Sequence, residues 1–96
     1  MYEIRFSLAA QKYLKKLKEK KLKDAFKEAI LEISENPYAG DEKKGDLAGL
    51  YCWNIRYAKT EYRIAYRIME VEGKYVIVIL AGTHEGFYQE IIKYIK

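Results

Sequence analysis

Two alternating runs confine this chain more than any other feature. Tyr51, Trp53, Ile55 and Tyr57 recur at every second residue, and Tyr62, Ile64, Tyr66 and Ile68 repeat the pattern shortly afterwards. A period of two puts these eight side chains on one face of a sheet. Cys52, Asn54, Arg56 and Ala58 then share the other face with Arg63, Ala65 and Arg67. The apolar face needs a second layer to cover it.

The covering layer is legible upstream. Tyr2, Ile4 and Phe6 alternate with Glu3 and Arg5 as a short half-buried strand. Ser7 can cap a helix whose apolar stripe is Ala10, Tyr13, Leu14 and Leu17. After a charged break over Lys18–Lys21, Leu22, Ala25, Phe26, Ala29, Ile30 and Ile33 mark a second helix. It must stop before Pro37, because the residue preceding a proline is pushed out of the helical region. The two helices form a hairpin that should pack on one face of the sheet. Residues 38–49 read as a loop. Tyr75 to Ala81 is apolar on both faces, as in a central strand. Phe87, Ile91, Tyr94 and Ile95 close the chain as an amphipathic helix. The expected order is β-α-α-β-β-β-α.

Register matters for chemistry. A tight turn centred on Lys59-Thr60 would pair Tyr57 with Tyr62, Ile55 with Ile64 and Trp53 with Tyr66. It would also set Arg56 directly opposite Arg63. Like charges facing each other across a sheet are unfavourable unless an anion lies between them. A phosphate suits the planar guanidinium fork. The plainer alternative is that both side chains splay into water.

The strand-to-helix junction Ala81-Gly82-Thr83-His84-Glu85-Gly86-Phe87-Tyr88 carries the only histidine. If the segment after Thr83 is helical, His84 and Tyr88 share one helix face. Imidazole exchanges a proton near neutral pH, and an arginine-flanked phenol can orient or abstract one. Imidazole, phenol and guanidinium suffice for phosphodiester chemistry without a metal. A capping role for His84 and a packing role for Tyr88 are the structural alternatives.

Composition narrows the setting. Ninety-six residues, half of them apolar, make one packed domain. The lone Cys52 cannot form an internal disulfide, which fits a reducing cytosol. Neither a signal peptide nor a membrane span is expected. A net charge of +4 and a pI of about 9.1 favour polyanionic or acidic partners. No Cys/His cluster offers a zinc site, and residues 45–49 lack the Lys-Ser/Thr of a phosphate-binding P-loop. No cofactor is expected.

Several motifs together resemble the RelE/ParE superfamily, the toxic half of bacterial and archaeal type II toxin–antitoxin modules. They are Asn36-Pro37, the loop with Leu47-Ala48-Gly49-Leu50, the strand Glu61-Tyr62-Arg63-Ile64-Ala65-Tyr66-Arg67-Ile68, and Gly82-Thr83-His84 to Tyr88. The resemblance covers nearly the whole chain. It implies an α+β, RelE-like fold with a curved, mainly antiparallel four-stranded sheet, packed by the helical hairpin and a C-terminal helix. Arg63 matches an arginine that holds the scissile phosphate in RelE-type nucleases. Arg56 occupies a basic position on the facing strand, Asn54 replaces a lysine there, and Arg67 joins them as a substrate-binding candidate. His84 takes the place of an arginine proposed as general acid, and Tyr88 matches a tyrosine that contributes to cleavage.

The resemblance therefore implies a cytoplasmic, metal-independent mRNA interferase that acts on the ribosome. The RNA 2′-hydroxyl would attack, giving a 2′,3′-cyclic phosphate, with Arg63, His84 and Tyr88 catalytic. An acidic antitoxin that folds on binding would neutralise it. The same superfamily contains DNA gyrase poisons on one fold. A gyrase inhibitor and a catalytically degenerate antitoxin-binding homologue are the rival readings, the latter favoured by Asn54.

Overall fold

The computed structural model describes residues 1–95, with the side chain of Ile95, expected on the apolar face of the last helix, outside the described residues. Its elements are β1 (Glu3–Phe6), α1 (Leu8–Lys16), α2 (Lys20–Glu35), β2 (Asp41–Glu42), β3 (Tyr51–Tyr57), β4 (Thr60–Met69), β5 (Tyr75–Thr83) and α3 (Phe87–Ile95). The sheet runs in the order β1-β5-β4-β3-β2. β1 lies parallel to β5, and the other neighbours are antiparallel. The expected α+β architecture is present, with the two-residue β2 as a fifth strand at the edge.

Local chemistry sets the boundaries. Ser7 caps α1, accepting from Ala10 N at 3.1 Å, and its hydroxyl donates to Ile79 O at 2.5 Å. α2 ends at Glu35 because Asn36 leaves helical geometry ahead of Pro37. The buried face of α2 presents Leu22, Phe26, Ala29 and Ile33 to Ile64, Tyr66, Val76 and Val78. The Tyr62, Ile64, Tyr66 and Ile68 side of β4 thus meets the helical hairpin, as the alternation predicts. Tyr66 is fully buried, and its hydroxyl donates to Pro37 O at 2.7 Å, tying the end of α2 to the sheet.

α3 covers part of the other face. Phe87 and Ile91 pack on Leu50, Cys52, Ala65 and Leu80 in a second, smaller core. A register shift between Ala65 and Tyr66 leaves Ile79 without a cross-strand partner. The parity of β5 changes there: Val76 and Val78 face the hairpin, whereas Leu80 faces α3. One strand therefore serves two cores, which explains why both its faces are apolar in sequence.

Two expectations need correction. The β3–β4 turn is centred on Ala58-Lys59, not Lys59-Thr60, and both residues have positive φ (48° and 67°), the backbone of a type I′ turn. Tyr57 pairs with Thr60, Ile55 with Tyr62, and Trp53 with Ile64. Arg63 therefore faces Asn54, and Arg56 faces Glu61. Second, the segment after Thr83 is not helical. Residues 84–86 form a turn with Gly86 at φ +73°, and α3 starts only at Phe87.

Candidate active site

Arg63 projects from the middle of β4 on the face away from the hairpin. Its cross-strand neighbours are Asn54 on β3 and Gly82 on β5. Gly82 carries no side chain, so the space beside Arg63 is open to α3. Phe87 anchors the start of α3 at 3% exposure, and the next residue, Tyr88, turns back over the sheet. Arg63 Nη1 donates a hydrogen bond to the Tyr88 hydroxyl. Its Cζ lies 5.1 Å from the centroid of the same ring. Arg63 Nε is buried without a partner. A guanidinium thus stands half-buried and oriented, with donor capacity to spare.

Lys43 enters the same cluster, and the sequence reading missed it. Its ammonium sits 5.3 Å from the Tyr88 ring centroid. The Tyr88 hydroxyl holds Lys43 above the ordinary lysine range, against partial desolvation and the neighbouring Arg63, both of which pull it down. Cys52 lies beneath at 2% exposure. Burial pushes its thiol up, with Lys43 and Arg63 opposing, so it is a protonated packing residue rather than a nucleophile.

His84 lies in the turn that leads from β5 into α3. Its backbone is fixed on both sides, with N donating to Glu61 O at 2.9 Å and O accepting from Phe87 N at 3.2 Å. Its side chain is exposed and borders an open hollow of about 480 Å³ together with Tyr88 and Gln89. The helical spacing expected for His84 and Tyr88 is absent, yet the turn brings them to one hollow.

The basic pair does not form as expected. Arg56 makes an exposed ion pair with Glu61 at 3.9 Å. The two arginines share a sheet face only as diagonal neighbours, so the argument for an anion clamped between facing guanidinium groups falls. Asn54 is exposed directly opposite Arg63. Arg67 lies further along β4, where a side chain at Gly49 would meet its Nη1 at 3.1 Å. The structure gathers Lys43, Arg63 and Tyr88, sets His84 with Tyr88 on a shared hollow, and leaves Arg56 and Arg67 outside the cluster.

The family of ParE-like toxins of type II bacterial toxin–antitoxin systems matches residues 4–92. The chain belongs to that family. No curated protein matches its sequence. Among solved structures, a double arginine-to-alanine mutant of the E. coli toxin RelE in the free state is 27% identical, with a TM-score of 0.77 over 99% of this chain and 98% of that one. The RelE structures so matched span this toxin from end to end, so the likeness includes both the sheet and α3. The intact E. coli RelBE toxin–antitoxin complex is 26% identical, with a TM-score of 0.70 over 88% of this chain and 99% of that one. A RelBE-type complex from Mycobacterium tuberculosis is 28% identical, with a TM-score of 0.66 over 86% of this chain and 98% of that one. This toxin thus has the RelE fold. Among its described residues, no helix is long and apolar enough to cross a membrane.

Proposed function

We propose that this toxin is an endoribonuclease that cuts mRNA on the translating ribosome. The observation that carries the reading is the hydrogen bond from Arg63 to Tyr88, which borders a hollow shared with His84. Phosphodiester cleavage by internal attack needs three things: a cation at the phosphate, a group at the 2′-hydroxyl and an acid at the leaving oxygen. Arg63 would neutralise charge on the pentavalent phosphate. Tyr88 would orient the 2′-hydroxyl or take its proton, and the bond from Arg63 already fixes its phenol. As the 2′-oxygen–phosphorus bond forms, the bond to the 5′-oxygen breaks, and His84 would deliver a proton to that oxygen. The products are a 2′,3′-cyclic phosphate and a 5′-hydroxyl.

The hollow is open and shallow, so it does little to position RNA alone. The ribosome would supply that positioning, holding mRNA in a geometry near attack. An antitoxin of net acidic character would complete the module, matching the toxin's charge of +4. Solved relatives in complex with RelB support such a partner. The cytoplasm is where the proposed substrate and partner meet.

Purified toxin added to ribosomes programmed with mRNA should cut the message within its translated region. Intact mRNA combined with inhibited gyrase supercoiling would replace this reading with gyrase poisoning on the same fold.

A further inference from the structure

Lys43 reaches the site by a route that hydrophobic patterning does not reveal. β2 is two residues long, and its pairing of Asp41 with Cys52 and Glu42 with Tyr51 continues one step further, where Lys43 N donates to Leu50 O at 2.8 Å. Alternation along this edge puts Asp41 and Lys43 on the face that carries Cys52 and Arg63. The ammonium and the Arg63 guanidinium then converge on one phenol ring, at 5.3 and 5.1 Å from its centroid.

Two cations at one ring repel each other, which offsets what each gains from the ring face. Among the described residues, Arg5, Arg56 and Lys93 have carboxylates within ion-pair distance, but Lys43 and Arg63 do not. Lys43 nonetheless keeps its charge, held chiefly by the Tyr88 hydroxyl. Arg63 Nε is a buried donor with no protein partner. Asp41 shares this face and acts on Cys52, but it makes no ion pair with either cation. Two unpaired cations with a spare donor on one corner are the layout of an anion-binding site.

From this placement we propose that Lys43 is a phosphate-contacting residue of the active site, supplying from the edge strand the second cation that Asn54, opposite Arg63, does not supply. The proposal rests on the nuclease reading above and adds a residue which that reading does not require. Lys43 acts by charge: its ammonium stabilises the oxygens of the pentavalent phosphate and neither gives nor takes a proton.

The test uses the full chain on mRNA-programmed ribosomes, with kcat/KM as readout. Lys43→Met keeps an aliphatic stem over Tyr88 and removes the charge. It should lower kcat/KM by roughly 10- to 100-fold, the scale of one hydrogen bond to a charged group. Lys43→Arg should recover most of that loss. So should Lys43→Met combined with Asn54→Lys, because that restores a cation beside Arg63 from the neighbouring strand. A merely packing lysine would not be rescued from position 54. If the parent cleaves and Lys43→Met cleaves equally well, this proposal falls and the nuclease reading stands. If Lys43→Met fails and neither the arginine nor the relocated lysine restores cleavage, the proposal falls as well, and Lys43 is structural. If the parent does not cleave, the nuclease reading falls and takes this proposal with it.

Discussion

Arg63 and Tyr88 are 25 residues apart in sequence and joined by a hydrogen bond that links the central hairpin to the last helix. The bond uses the phenol oxygen as acceptor and leaves the ring available to the guanidinium of Arg63 and the ammonium of Lys43. Tyr88→Phe removes the oxygen and keeps the ring. If the hydroxyl orients or deprotonates the attacking group, this variant should lose roughly 10²–10⁴-fold in cleavage rate while retaining its fold. If the ring acts only by stacking, the rate should hold, and Tyr88→Ala alone should lose it. Single-turnover cleavage assays separate the two.

The observed hairpin register makes Arg56 a surface residue paired to Glu61. Exposed pairs of this kind contribute no more than about 1 kcal/mol. Arg56→Ala should therefore barely move the urea midpoint. Its effect on cleavage should fall well below that of Arg63→Ala, for which losing one oriented donor costs about 10²–10³-fold. Equal losses in the two variants would restore the clamped-phosphate arrangement that the register excludes.

Gly40 is constrained by closeness. A Cβ there would collide with the Tyr66 hydroxyl and come within 3.1 Å of Cys52 O. Tyr66 cannot retreat, being fully buried and bonded to Pro37 O. Gly40→Ala should cost about 1–3 kcal/mol of stability, the range of overpacked cores. Chemical denaturation measures it, and Tyr66→Phe in the same background should relieve part of the clash.

Tyr2 and Tyr38 both donate to Glu70 Oε1 at 2.6 Å. These bonds hold the Glu70 carboxyl below its ordinary value of 4.5. They push the Tyr38 phenol up to about 12. For Glu70 the folded pKa lies below the unfolded one, so its contribution is present above the unfolded value and lost as pH falls through the folded value. For Tyr38 the order is reversed: its contribution is complete below its ordinary value of 10 and lost as pH rises toward 12. Glu70→Gln should flatten the acid limb of the stability–pH curve, and Tyr38→Phe the alkaline limb. Thermal midpoints across pH read both.

The two strands and their apolar face were legible because period-two alternation survives a register error of two residues. Both registers put Arg63 on the same face. The turn itself was not legible, because Ala58-Lys59 adopts positive φ without the Gly or Asn that usually signals it. Neighbours across the hairpin were consequently misassigned even though the faces were right. β2 is not legible because Asp41-Glu42-Lys43 carries no apolar residue, and the place of Lys43 depends on that edge pairing. The sequence implies a shared helix face for His84 and Tyr88. A left-handed Gly86, not a shared helix face, brings them to one hollow. The bulge at Ile79 was hidden inside an apolar run whose two faces look alike.

Mapping mRNA ends after toxin expression without antitoxin decides whether this toxin cuts RNA by internal attack at the Arg63–Tyr88 site. Growth should arrest, with new ends inside translated regions that carry a 2′,3′-cyclic phosphate on one fragment and a 5′-hydroxyl on the other. Arg63→Ala and His84→Ala should abolish both the arrest and the ends while the proteins stay folded. Growth arrest with intact mRNA, or full toxicity in the Arg63→Ala and His84→Ala variants, would contradict that mechanism.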